Sequence, residues 1–154
     1  MARGMLADDD HLERGFNRNT NNQGGVEIQY FTSFPKQLTI DTRFVQRGQK
    51  LYGVYCATCH GMDGYGNGPI NQRAIEKEEP KWVPASNLHT EEIRGRADGH
   101  LYNTIRNGIR NMPAYGSQID TADRWAIVAY VRALQRSQHA TLEEVPAEER
   151  DKMR

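Results

Sequence analysis

Three stretches of this chain place apolar residues at helical spacing, and the rest is largely polar. In the first, Phe44, Val45, Leu51, Tyr52 and Tyr55 share one face of a helix predicted over 42–55, with Asp41 or Thr42 as its N-cap. Gly48 lies inside that helix, where glycine costs about 1 kcal/mol against alanine. Either the helix tolerates it or a second helix approaches closely there. In the second stretch, Leu101, Tyr102 and Ile105 predict a short helix that Asp98 caps and Asn107-Gly108 ends as a left-handed stop. The third is the broadest. Trp125, Ile127, Val128, Tyr130, Val131 and Leu134 give an apolar face to a helix running from an N-cap at Asp120 to about Arg136. Asp123 in its first turn suits the positive end of the helix dipole.

The polar remainder divides into an arm, two loops and a tail. Residues 1–41 carry Asp8-Asp9-Asp10, four asparagines between 17 and 22, and Gly24-Gly25. These read as solvated chain, with one short strand at 26–31. About 40 residues rarely fold alone. An extended N-terminal arm with little regular structure is therefore expected, lying on this protein's surface or on a partner's. Gly61, Gly64, Gly66 and Gly68 make 61–69 a tight irregular loop. No strand precedes it and no Lys-Ser/Thr follows, so it is not a nucleotide loop. Glu76-Lys77-Glu78-Glu79 reads as a solvated run, and Pro80 and Pro84 bracket Trp82 in a second loop. The charged residues 138–154 are expected to fray. The division is an arm at 1–41, a body at 42–137 and a polar tail at 138–154.

Composition sharpens this picture. At 154 residues one domain is expected, yet 37% hydrophobic content and a mean hydropathy of −0.82 are lean for a self-sufficient core. A large buried prosthetic group would supply part of the missing apolar surface. Net charge is zero, which argues against a nucleic-acid partner. No run of 18 apolar residues exists, so no transmembrane helix is expected. No basic-then-apolar leader is visible at Met1, so a processed or truncated chain is the expectation.

The candidate chemistry sits at Cys56-Ala57-Thr58-Cys59-His60. Cys-x-x-Cys-His is the attachment signature of a c-type haem. Two thiols three residues apart reach two vinyl groups of one porphyrin, and the adjacent histidine lies under the iron. Cys56 and Cys59 are the only cysteines, so no disulfide framework competes. A redox dithiol would need a βαβ setting, which the flanks do not show. A zinc site would need further ligands, and His11, His89, His100 and His139 form no close pair. A backbone carbonyl near Gly68-Pro69 is the expected acceptor for His60 Nδ1–H, turning Nε2 toward iron. Trp82 would pack on the haem edge or donate to a propionate, or else fill an ordinary core or surface place.

An electron-transfer haem needs a second axial ligand. Met1, Met5 and Met153 lie near the ends, and Met62 is too close to His60 to reach the opposite face. Met112 follows His60 by 52 residues and sits beside Pro113 between two predicted helices. It is the expected distal ligand; its alternative role is core filler. His100 is the runner-up. Thioether ligation favours ferrous iron and, with His60, closes both axial positions. Outer-sphere one-electron transfer is the chemistry implied, and the chain by itself is a carrier rather than an enzyme.

From 42 to 137 the sequence resembles a class I cytochrome c. The resemblance rests on the Cys56–His60 box, the Asn111-Met112-Pro113-Ala114-Tyr115 loop and the paired terminal helices. It implies an all-α class I cytochrome c fold, with haem-wrapping helices and crossing N- and C-terminal helices. In that family a glycine and an aromatic on the first helix cross an aliphatic/aromatic pair on the last; Gly48 and Tyr52, Ile127 and Tyr130 match. Pro69 resembles the family proline whose carbonyl orients the proximal histidine, and Tyr115 belongs to the methionine loop. More narrowly, Ala2-Arg3-Gly4, Phe34-Pro35, Gln46-Arg47-Gly48-Gln49, Gly64-Tyr65-Gly66-Asn67-Gly68 and Asp123–Tyr130 are similar to the monohaem cytochrome c subunit of bacterial alternative complex III. That likeness implies a subunit of a membrane quinol:electron-acceptor oxidoreductase on the periplasmic side of the inner membrane. Such a subunit is peripheral or anchored through a segment outside this chain, and passes electrons to an oxidase or a carrier.

The alternatives are a free periplasmic shuttle, a haem enzyme or gas sensor with an open iron, and a zinc module. The long arm favours a complex subunit over a shuttle. Residues 42–119 hold ten Lys/Arg against seven Asp/Glu, and Arg106 and Arg110 near the methionine loop would steer an acidic partner or simply be solvated.

Overall fold

The computed structural model describes residues 9–150 and residue 152. Its elements in order are α1 (Asp10–Arg14), β1 (Phe16–Thr20), β2 (Val26–Tyr30), α2 (Thr42–Tyr55), α3 (Ala57–His60), α4 (Pro69–Glu76), α5 (Glu91–Arg94), α6 (Asp98–Asn107), α7 (Thr121–Ser137) and α8 (Ala147–Arg150). A 3-10 turn spans Leu142–Glu144. Ala2-Arg3-Gly4, Met1, Met5 and Met153 lie outside the described residues.

The three helices read from the apolar pattern are α2, α6 and α7. Asp41 starts α2 by accepting from Phe44 N at 2.8 Å. Of the other two, α6 begins differently from expectation, while α7 starts at Asp120 as expected. Ala97, not Asp98, is the N-cap of α6, because the Asp98 carboxylate is taken by Arg132 Nε at 2.6 Å. Asp120 stands at the N-cap of α7 but makes no side-chain cap bond. Gly108 ends α6 at φ +74° and ψ 172°, a positive-φ stop outside the left-handed helical region.

α2 and α7 cross at Gly48. A Cβ there would lie 1.9 Å from the Ala126 carbonyl oxygen, closer than any side chain permits. One turn on, Tyr52 meets Tyr130 with ring centroids 5.2 Å apart. The glycine therefore marks where the two backbones touch, and its helix-propensity cost is offset by close packing. Tyr52, Tyr102, Ile105, Trp125, Ile127, Val128 and Val131 form the buried cluster around this crossing. Tyr102 stacks on Trp125 at 4.5 Å.

The N-terminal segment is more regular than expected. Behind α1, β1 and β2 form an antiparallel hairpin pairing Phe16 with Tyr30, Arg18 with Ile28 and Thr20 with Val26. Asn21 Oδ1 shapes its turn by accepting from Gly25 N at 2.7 Å. The segment also grips the core of the same chain. Trp125 Nε1 donates to the Leu12 carbonyl at 2.9 Å, and Tyr102 OH donates to the Glu13 carbonyl at 3.2 Å. Phe31 N donates to the Gly15 carbonyl at 3.0 Å, and Gly99 N to the Phe31 carbonyl at 2.8 Å. Pro35 is fully buried. Short-range periodicity missed this because it depends on Gly15 and Gly99, far apart in sequence. A Cβ on Gly99 would fall 1.8 Å from the Gly15 carbonyl oxygen. In the tail, Thr141 and Glu144 form a capping box, and Glu144 pairs with Arg136.

Candidate functional site

α2 runs directly into Cys56, which is both its C-cap and the N-cap of α3. The Cys56 carbonyl accepts from Cys59 N at 3.1 Å and His60 N at 2.9 Å. One turn of chain thus carries both thiols and the imidazole. Both cysteines are free and half-buried. Burial and the neighbouring Cys59 push the Cys56 thiol up to about 12.

The glycine loop wraps back onto this turn. Gly66 N donates to the His60 carbonyl at 2.8 Å, and Gly68 N to the Cys59 carbonyl at 3.1 Å. A Cβ on Gly66 would lie 2.4 Å from the Ala85 carbonyl oxygen, and one on Gly68 would lie 2.5 Å from that of Thr58. Tyr52 OH closes the far side by donating to the Gly61 carbonyl at 2.8 Å. His60 Nδ1 lies 3.0 Å from the Ser86 carbonyl oxygen. A carbonyl only accepts, so Nδ1 bears the proton and Nε2 keeps its lone pair. Burial holds the His60 pKa below the ordinary imidazole value, and the Ser86 bond partly opposes this.

The acceptor for His60 is thus Ser86, not a carbonyl near Gly68-Pro69. The Gly68 carbonyl is taken by Gln72 N at 2.9 Å, and Pro69 opens α4 at its first turn. Trp82 is also committed elsewhere. Its Nε1–H donates to Asn71 Oδ1 at 2.6 Å, so it is not a free donor for a propionate. Pro69 and Trp82 instead line one groove with Ile70 and Ala74. Tyr115 stands beside the cysteine turn: its ring meets Tyr55 edge-on at 6.0 Å, and burial together with Cys56 and Cys59 raises its pKa.

Met112 closes a tight turn in which Ile109 N donates to Met112 O at 3.1 Å and Met112 N to Ile109 O at 2.9 Å. Its side chain is half-buried against the core cluster that Cys56 and Tyr115 also pack on. Behind the turn, buried Arg124 donates to the carbonyls of Gly116 and Ile119 and to Tyr102 OH. At its tip, Asn111 Nδ2 donates to the Lys81 carbonyl at 3.0 Å. His100, the runner-up ligand, is stacked on Tyr30 at 4.5 Å.

Residues 43–131 match the protein family described as cytochrome C oxidase, cbb3-type, subunit III. The chain belongs to that family. It is a c-type cytochrome domain, and electron transfer is the activity it supports. Over 95 residues it is 27% identical to the Cbb3-type cytochrome c oxidase subunit FixP of Azorhizobium caulinodans. That alignment covers 61% of this chain but only 28% of the relative. Among solved structures, a chain of the Kuenenia stuttgartiensis reducing HAO-like protein complex superposes with a TM-score of 0.54 at 21% identity, covering 71% of this chain and 51% of that one. It shares the fold. Cytochrome CL of Methylophaga aminisulfidivorans gives a TM-score of 0.47 at 20% identity, over 86% of this chain and 98% of that one.

The family implies haem c, and the residues present fit it. Two half-buried thiols share one turn with an imidazole whose Nδ1 is tied to Ser86 and whose Nε2 keeps its lone pair. Among the described residues, no three His, Cys, Asp or Glu side chains converge as a metal site. When bound, the haem supplies a one-electron iron couple. The chain would hold it through Cys56 and Cys59 and would hold the imidazole still; no helix among the described residues is long and apolar enough to cross a membrane.

Sequence reasoning missed Ser86, Asn71 and Arg124. Ser86 acts through a main-chain carbonyl, which no residue type announces. Arg124 left a faint signal, as a charged residue beside the apolar run of α7; Asn71, the one buried residue of α4, left none.

Proposed function

We propose that this domain carries one covalent haem c, thioether-linked at Cys56 and Cys59, with His60 as proximal and Met112 as distal axial ligand. It passes single electrons without binding substrate at iron. The observation that carries this reading is the 3.0 Å contact from His60 Nδ1 to the Ser86 carbonyl, which leaves Nε2 to ligate. Tyr115, beside the cysteine turn, would line the haem pocket; Pro69 would do so only through the fold of α4. Residues 42–137 would form the haem domain, with the N-terminal segment clasped on it and 138–154 as an outer tail. The oxidised absorption spectrum tests the ligand set. A thioether-to-iron charge-transfer band should be present, and Met112→Ala should remove it. Carbon monoxide should bind the reduced protein poorly; ready binding at neutral pH would favour the sensor or enzyme reading.

At the level of assembly, we propose an electron-transfer subunit of a membrane respiratory complex on the periplasmic side of the inner membrane, handing electrons to an oxidase or soluble acceptor. The names of the similar proteins, an oxidase subunit and a complex component, support this class. The motif likeness described above favours alternative complex III within it. The arm supports that choice less than it did from sequence, since its two ends, Leu12–Phe16 and Phe31–Pro35, pack on this chain's own core. What still faces outward is the hairpin, where Val26 and Ile28 are 67% and 49% exposed. Recovery from membranes with quinol-oxidising activity and other subunits is expected. Recovery of the native protein alone in the soluble periplasmic fraction would favour the shuttle.

A further inference from the structure

We infer that Asn71 is a positioning residue for the proximal histidine, acting through Ala85 and Ser86. The inference rests on His60 being the axial ligand. Asn71 lies on α4, where its side chain is 4% exposed and makes three hydrogen bonds. Its Nδ2 donates to the Gly66 carbonyl. Its Oδ1 accepts from Trp82 Nε1 at 2.6 Å and from Ala85 N at 3.2 Å. Gly66 is the residue whose N–H holds the His60 carbonyl. Ala85 is joined by one peptide to Ser86, whose carbonyl holds the His60 ring. A single buried amide therefore ties together the two strands of chain that grip His60, one through its backbone and one through its imidazole. A polar group this buried costs free energy unless fully bonded. Here both faces of the amide are used.

The consequence is electronic as well as steric. A carbonyl on Nδ1–H makes the imidazole a stronger donor to iron, which favours the ferric state. Loosening Ser86 weakens that donation and moves the midpoint potential upward. It also lets the ring N–H reach water.

The test uses the matured holoprotein and compares wild type, Asn71→Ala, Trp82→Phe and the core variant Val128→Ala. In Asn71→Ala the His60 Nδ1 proton, followed by its hyperfine-shifted resonance, should exchange about tenfold faster, the order expected for one lost hydrogen bond. The midpoint potential should rise. Trp82→Phe leaves Asn71 bonded to both Ala85 and Gly66, and should leave both readouts at wild-type values. Val128→Ala should lower the melting temperature without moving either. Should Asn71→Ala fail to mature, Ala85→Pro deletes the N–H that Asn71 holds and should shift both readouts in the same directions. An Asn71→Ala protein that is merely less stable, with unchanged exchange and potential, overturns the positioning role. So does a Trp82→Phe protein that reproduces the whole shift. If wild type itself shows no bound imidazole resonance, the axial assignment of His60 fails instead, and the role of Asn71 falls with it.

Discussion

Around His60 the imidazole ring itself is tied down, whereas around Met112 only the backbone is. The imidazole has a second nitrogen, and the Ser86 carbonyl at 3.0 Å fixes its rotation and tautomer together. A thioether offers no comparable handle. Met112 is placed by a self-closed turn and by packing, with Asn111 tied to the Lys81 carbonyl and Arg124 holding the chain just beyond the turn at Gly116 and Ile119. The two halves also differ in reach. The proximal grip joins residues 59–60, 66–68, 71 and 85–86 into one network, while the distal turn pairs Ile109 with Met112 and leans on its neighbours. With His60 and Met112 as the proposed axial pair, the comparison teaches that one is aimed by a hydrogen bond of its own side chain and the other by the fold of the chain that carries it.

The largest effect should come from the proximal side. His60→Ala removes the tied ring, and haem incorporation or the low-spin spectrum should be lost outright, measured by pigment yield after maturation. Next is Gly66→Ala. Gly66 has φ +82° and no room toward the Ala85 carbonyl. Left-handed strain and overpacking together should cost roughly 3 kcal/mol, read by chemical denaturation. Arg124→Met leaves the Gly116 and Ile119 carbonyls without their buried donor. It should cost roughly 2 kcal/mol and loosen the methionine turn, so that carbon monoxide binds faster than to wild type. Met112→Ala should cost less stability than either, because its side chain is only half-buried, while abolishing the charge-transfer band. If Met112→Ala unfolds the protein and Gly66→Ala does not, the contrast between the two halves is wrong.

The smallest effect concerns pH. Burial first, and Arg96 second, hold the His100 pKa below its ordinary value of 6.5. The native state therefore resists protonation that the unfolded chain accepts. Stability should be flat above about pH 6.5 and decline as pH falls below it. His100→Gln should flatten that decline, measured by melting temperature between pH 7 and 5. A decline of the same size in the variant would remove His100 as its cause.

Much of this was legible in the sequence because it was local. The Cys56–His60 signature, the face of α2 and the broad stripe of α7 are short-range patterns, and Gly48 announced a close approach that the helix crossing explains. What was not legible depends on main-chain groups or distant partners. No residue type reveals that the Ser86 carbonyl faces His60. Gly15 and Gly99 meet across the chain, so the N-terminal segment read as an arm on this protein's surface or a partner's, and its clasp on Trp125 and Tyr102 of the same chain was not legible. Asp98 read as a cap because aspartate commonly caps, yet Arg132, brought by α7, claims its carboxylate.

The most direct test is the linkage of pigment to protein in the matured chain. Acid–acetone treatment should leave one haem per chain attached, and its reduced pyridine spectrum should be that of a porphyrin with both vinyl groups saturated. Pigment released into the acetone, or a matured chain with no Soret absorption, would contradict the account at its root.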